Sequence, residues 1–386
     1  MRSPLVAIAL GVAGALVVAL AVAYDPRRAA FAYLCAWLYW LTIALGALVL
    51  VMIHHLTGST WFIALRRPAE VLFAALVPLA FLVVPLVLAL RLLYPWTHPA
   101  DLDPAVRELV ARKASWLAVP FFLARGALYL ATWLATAVLL ARWSAEQDRA
   151  RDAVRAASLA RRQKVLCAAA LPAVALALTF ASFDWVMSLA PAWASSVFGV
   201  YVFAGAAVGG LAAIALAAYR GERDGRLRNV VGVSHFHALG KLLLTFVIFW
   251  AYIAFVQLLV VWIADVPRET SWYAVRARGG LGALALLLVG GHFVVPFFLL
   301  LSRELKRRPA RLTALAAWLL AMHYVDVYWL VMGTLAPGWE PHWADPAALL
   351  AVGGLAATGP AFWASRTEAS VRGDPRFERS VRFVTR

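Results

Sequence analysis

An imidazole and a carboxylate three residues apart, His323 and Asp326, stand inside a long apolar run. Residues at that spacing share a helix face, where a carboxylate can orient the ring and raise its basicity. Two readings stay open, a proton relay and a static hydrogen-bonded strut between helices. His292 lies in the apolar run before it, Asp184 near the end of an earlier one and Arg125 inside another. Ionisable groups at membrane depth are costly and normally face a bundle interior or a wet cavity, so each marks a candidate pathway. His237 and Lys241 sit four apart where a further run begins, just after His235. Lys241 either snorkels to the interface or joins His237 at the mouth of an inward proton channel. His54 and His55 end a run at the same surface, where a solvated interfacial role is expected.

Other chemistries find little to work with. His292 and His323 raise ligation of a b-type haem, but such sites usually come as facing pairs at matched depth, and one pair is a weak signal. Cys35 and Cys167 lie far apart without C-x-x-C spacing, which excludes a disulfide framework, a cluster or covalent haem. No P-loop, G-x-S-x-G or H-E-x-x-H pattern appears, so hydrolytic and ATP-driven chemistry has no residues to carry it, and no metal site is expected.

The elements that must position these groups are ten apolar runs: Leu5–Ala23, Ala29–Ile53, Ala69–Leu90, Ser115–Leu140, Val165–Met187, Ser195–Tyr219, Leu239–Ala264, Leu281–Leu301, Leu312–Leu335 and Ala347–Ser365. Each is near the ~20 residues that cross a bilayer as a helix. With 64% hydrophobic and 15% charged residues, the 386-residue chain has no room for a soluble domain. The expected fold is all-α, a single membrane domain over residues 1–386. Residues 1–23 imitate a signal peptide ending at Ala21-Val22-Ala23, but the run is long for one, and a retained first helix is expected.

The net charge of +16 points away from nucleic acid once its distribution is read. Placing the N-terminus in the cytoplasm puts there 26 of the 36 Lys and Arg residues, including Arg2, Arg66, Arg67, those of 142–164, 220–241 and 303–311, and the tail to Arg386. Both termini are then cytoplasmic. The 142–164 segment is expected to extend a helix into the cytoplasm. On the opposite side, Trp96, Trp116, Trp185, Trp193, Trp272, Trp339 and Trp343 suggest an interfacial aromatic belt. Pro78, Pro85, Pro120 and Pro296 are expected to kink their helices, and Gly205-x-x-x-Gly209 to serve close helix packing.

Several segments together resemble a known family: HHLTGSTWFIALRRPAE (54–70), FFLARGALYLATW (121–133), FDWVMSLAPAWASSVFGVYVFAG (183–205), HALGKLLLTFVIFWAYIAFVQLLVVW (237–262), VPRETSWYAVR (266–276), HFVVPFFLLLSRELKR (292–307) and HYVDVYWLV (323–331). They are similar to the F subunits of bacterial alternative complex III, within the NrfD-like, or polysulfide-reductase membrane-anchor, superfamily. The FDW…FG and H-x-x-D-x-Y-W blocks are the most specific. The resemblance implies two four-helix bundles, here about 29–187 and 195–335, flanked by helices at 5–23 and 347–365. It implies a subunit of a quinol:cytochrome c, or high-potential carrier, oxidoreductase in the bacterial inner membrane, rather than a complete enzyme. Implied partners are an NrfD-like C subunit that is the better candidate for quinol oxidation, iron–sulfur and haem-c cytochrome subunits, a candidate terminal oxidase and membrane lipid. The F subunit would scaffold the complex and conduct protons along Asp184, His237, Lys241, His292, His323 and Asp326, holding no cofactor of its own. The family pattern has acidic residues where Ala190 and Ala238 stand, so a route that used those carboxylates is broken or rerouted here. A quinol-binding catalytic anchor that partners a periplasmic iron–sulfur protein, favoured if quinone binds between the first-bundle helices, and a secondary transporter are the alternatives. Transport ranks last, because no paired Gly- or Pro-interrupted spans are found.

Overall fold

Without water to satisfy backbone groups in the hydrocarbon layer, each apolar run must close its own hydrogen bonds, and it does so as a helix. The computed structural model describes residues 4–335 and 340–385; Arg2, Trp339 and Arg386 lie outside them. Ten helices are long and apolar enough to span a membrane: α1 (Leu5–Tyr24), α2 (Pro26–Thr57), α3 (Ile63–Leu88), α4 (Val119–Asp148), α5 (Ala153–Leu189), α6 (Phe198–Arg223), α7 (Val233–Ala264), α8 (Gly279–Leu301), α9 (Pro309–Met332) and α10 (Ala344–Arg366). No strand occurs among the described residues.

Helices α2 to α5 pack as one ring, α2 on α3 and α5, and α4 on α3 and α5. Helices α6 to α9 form a second, with α6 and α8 each packed on α7 and α9. The rings meet where α2 lies along α6, and small residues allow the approach. A Cβ added at Gly46 would stand 1.9 Å from the Ala206 carbonyl oxygen, and one at Gly210 would stand 2.7 Å from the Gly46 backbone. Helices α1 and α10 pair through Gly11, Gly14 and Gly354 and rest against α2.

Local chemistry explains the ends. Asp25 accepts from the Arg28 N–H at 2.9 Å to start α2, Pro26 occupies its first turn, and Gly58 closes it at φ +66°. Pro120 also falls in a first turn, that of α4, where its missing N–H has no intrahelical partner to lose. The expected kink is therefore absent there. Pro78 and Pro85 do interrupt their span, which is broken into Ile63–Phe73, Leu76–Phe81 and Val84–Leu88. Pro296 cannot donate to the carbonyl of His292 four residues earlier, and the helix relaxes there through a π-helical stretch, Leu288–Val294.

Three expectations change at the basic end. The 142–164 segment is two helices broken at 149–152, with Asp152 capping α5 through Val154 and Arg155. Arg66 and Arg67 are not loop charges, because α3 begins upstream of them and buries both. Arg66 bonds Glu70 (3.2 Å), Asp374 (2.8 Å) and Gln147 (3.0 Å), and Arg67 bonds Glu70 (2.5 Å) and Asp148. His54 and His55 are 2% and 4% exposed, packed rather than solvated.

The partner of Arg66 comes from the chain's tail. Residues after α10 run back across the basic end, where Asp374 reaches Arg66, and the Ser380 carbonyl accepts from His235 Nε2–H at 3.0 Å, the ring's Nδ1 being held by the Gly232 N–H. Thr385 accepts from Lys241 Nζ at 3.2 Å, so one segment ties both bundles. Burial alone would raise the Asp374 carboxyl, but Arg66, with the Arg376 N–H and guanidinium, holds it below the usual carboxylate range. A lowered folded-state value contributes stability above the unfolded value, ~3.9, and that contribution is lost as pH falls through the folded one. A spin label at Val384→Cys, an exposed site in a chain whose two native cysteines are buried, should stay immobile from neutral pH to about 4 and loosen below. Release already near pH 6 would show that another group holds the tail.

The aromatic belt is largely an interior feature. Trp96, Trp185, Trp193 and Trp272 are buried, and only Trp116 and Trp343 of those described are exposed. Trp193 stacks on Trp272 at 4.3 Å, and Trp185 meets Trp37 and Trp133 edge to face. Shape complementarity between rings, rather than headgroup depth, sets their positions.

Candidate functional site

The second bundle holds a polar centre in its core. Asp326 on α9 is 2% exposed, and its carboxylate accepts from the Tyr201 hydroxyl on α6 and from Trp250 Nε1 on α7 at 3.1 Å. His323, one turn earlier, reaches across to α2 in the first bundle, where its Nε2 lies 2.8 Å from the Thr42 hydroxyl. That hydroxyl donates its proton to the Leu38 carbonyl at 2.8 Å, so it accepts from His323 Nε2–H. In the neutral ring Nδ1 is then a bare lone pair, and it has no partner among the described residues. Gly205 and Gly209 make room for the pair: a Cβ at Gly205 would lie 3.4 Å from both His323 Nδ1 and Asp326 Oδ2, and one at Gly209 would lie 2.9 Å from the ring. The small-residue motif thus packs against ionisable groups.

His323 and Asp326 do share a helix face, but the carboxylate does not hydrogen-bond the ring, contrary to the expected orientation. Thr42 holds the ring instead. His292 is fully buried on the π-helical stretch, and the Trp250 ring packs on it at 4.1 Å. Neither of its nitrogens has a partner among the described residues. Trp250 therefore lies between His292 and Asp326, touching the first by its face and the second by its N–H.

Asp184 belongs to a different site. It lies on α5 in the first bundle, and Arg125 of α4 donates to both its oxygens at 2.8 Å. Tyr129 (2.8 Å) and Trp116 (3.0 Å) complete the set, and the guanidinium stacks on Trp116 and Phe121 at 4.0 and 4.3 Å. Asp184 shares none of these partners with Asp326. His237 and Lys241 lie at the basic end, His237 buried and Lys241 exposed, with Lys306 packed on Gly240 between them. The structure brings together His323 and Asp326, sets His292 behind Trp250, and leaves Asp184 and the His237/Lys241 pair apart.

Sequence reasoning passed over the groups that run from the centre toward the end of the bundle opposite the basic one. A crevice of about 630 Å³ runs between α7 and α8, lined by Tyr201, Trp250, Gln257, Tyr273, Arg276 and Trp329 along with apolar side chains. Gln257 donates to the Tyr273 hydroxyl at 2.9 Å and accepts from Ser195 at 2.9 Å. Burial pushes the Tyr273 phenol up to about 12 and the Arg276 guanidinium down to about 9, so at neutral pH the first is neutral and the second charged. The signal available in the sequence was a buried carboxylate that needs donors, with a Tyr and a Trp on the neighbouring spans to supply them.

No family model matches the chain, and no curated protein matches it. The structure itself establishes an all-α polytopic membrane protein with ten candidate spans, two packed helix rings and a buried polar centre in each.

Proposed function

We propose that the chain is an F-type, NrfD-like membrane subunit of an alternative-complex-III-like quinol:cytochrome c oxidoreductase, scaffolding the complex and carrying protons through its second bundle. The observation that carries this reading is positional: the two most specific blocks of the resemblance fall on the two buried polar centres, FDW at Asp184 and H-x-x-D-x-Y-W at His323 and Asp326. Haem-c and iron–sulfur partners, and the bacterial inner membrane with both termini cytoplasmic, belong to the same proposal. Purification of the chain from its own membranes in mild detergent should bring down a c-type haem absorbance and iron. A lone chain that remains monodisperse would count against it.

Within this reading the proton holders are Asp326 and the bare Nδ1 of His323, which both lie against Gly205. The outward branch leaves Asp326 by the Tyr201 hydroxyl rather than by Asp184, whose oxygens are taken by four donors. The proposal keeps haem out of this chain: Trp250 covers the His292 ring, and His323 is wedged between Thr42, Gly205 and Gly209, so a macrocycle has no space between them. The first bundle has a hollow of about 160 Å³ near Trp37 and Trp185, below the ~300 Å³ of ordinary ligand sites, and an apolar crevice of about 560 Å³ between α3, α4 and α10, lined by Phe73, Phe81, Ala137 and Trp363, which is where a quinol-binding anchor would have its room.

Asp326→Asn keeps the shape, and its amide can satisfy both neighbours, the oxygen taking the Trp250 N–H and the NH₂ donating to the Tyr201 hydroxyl. It loses the carboxylate that exchanges a proton. In vesicles containing the whole complex, proton translocation should fall on the order of tenfold or more while quinol oxidation and assembly persist. Unchanged translocation per electron would leave Asp326 a strut.

A further inference from the structure

Arg276 is 2% exposed, yet it has no anion beside it among the described residues. Its guanidinium donates to the carbonyls of Trp272 (3.2 Å) and Leu330 (3.0 Å) and stacks on the Trp272 ring at 3.6 Å, while its Nε has no partner. A buried cation left without a counter-charge is costly, and the missing charge is the strongest statement a site makes about its ligand. Arg276 lines the crevice between α7 and α8, as does the indole of Trp329, whose N–H is also unpartnered. The rim of that crevice is apolar and faces outward: Tyr252, Phe255 and Val289 are 58%, 60% and 58% exposed. It therefore opens toward the acyl region, and its charged end follows α7, at the outer end of the spans where headgroups lie.

We propose that this crevice holds an anionic phospholipid, its phosphate against Arg276 and the Trp329 N–H, and one acyl chain lying over Trp250 and Tyr201. A quinol would fill the apolar part but leave the cation unmatched. The volume of about 630 Å³ is within the ~300–1,000 Å³ of small-molecule sites. Because Tyr201 and Trp250 are the two donors on Asp326, the lipid chain borders the polar centre and seals it from the bilayer. The site stands on charge and shape, and its occupancy does not require that protons move through the bundle.

The test is native mass spectrometry of the purified assembly, titrated with phosphatidylglycerol and with phosphatidylcholine of identical chains. The anionic lipid should bind at least roughly tenfold tighter, the worth of one charge-assisted contact. Arg276→Gln should bring it down to the level of the neutral lipid. Should that variant not fold, Val289→Trp carries the test, since it narrows the crevice mouth without touching Arg276 and should weaken the anionic lipid comparably. Equal binding of the two lipids, retention of the preference in Arg276→Gln, indifference to Val289→Trp, or displacement of phosphatidylglycerol by inorganic phosphate or a short-chain quinol would each overturn the proposal.

Discussion

Arg125→Met should cost the protein about 3–5 kcal/mol, the penalty for leaving one member of a buried ion pair without the other. Asp184 would keep only Tyr129 and Trp116 as donors, both neutral, in a site whose side chains are 8% and 1% exposed. The variant should give little monodisperse protein in detergent, and what survives should melt far below the wild type. Arg125→Lys should recover only part of the loss, because an ammonium cannot make the two parallel bonds at 2.8 Å. The double variant Arg125→Met/Asp184→Leu removes both charges and should be more stable than either single change, since apolar replacement of a buried pair is often neutral or better. Thermal melts of the four proteins form a cycle, and additive losses would show that the two groups do not act as a pair.

Gly46→Ala should be nearly as damaging through sterics alone. The added methyl would overlap the Ala206 carbonyl oxygen at 1.9 Å, an approach between backbones that no side-chain rotation relieves. Overpacking typically costs about 1–3 kcal/mol, and here α2 must also move away from α6. That movement pulls Thr42 from His323, so the change should disturb the polar centre along with stability. Gly290→Ala is the matched control, with nothing within 4 Å of its added Cβ. A Gly46→Ala protein with an unchanged melting temperature would mean the bundles meet less closely than described.

The spans were legible because a bilayer imposes one rule on every segment that crosses it, and hydropathy reads that rule directly. His323, Asp326, Asp184 and Arg125 were legible for the same reason, as charges where charges are costly. Their pairing was not. Arg125 and Asp184 lie on consecutive antiparallel spans, each about two turns or less from the end away from the basic cluster, a depth match that sequence spacing also offers. Arg66 and Arg67 misled because a charged gap between apolar runs looks like a loop, and the carboxylate that buries Arg66 is 308 residues away. The tryptophans misled because interfacial enrichment is a statement about averages, whereas Trp193 and Trp185 are placed by specific ring contacts. Tyr201 and Trp250 resembled ordinary apolar filling, since nothing local in α6 or α7 says that either donates to α9.

The same separation has a consequence for how the protein is made. At ~5–20 residues per second, Asp374 leaves the ribosome roughly 15–60 seconds after Arg66. Glu70, already alongside, serves Arg66 and Arg67 together, and Asp148 reaches Arg67 only 81 residues later, so through most of synthesis it is Arg66 alone that lacks a carboxylate of its own. During that interval the second bundle must be threaded while Arg66 shares the Glu70 carboxylate and leans on the neutral Gln147 amide. Biogenesis of this chain is thus ordered in time: the Arg66 site is completed only when Asp374 has been translated, after all ten spans.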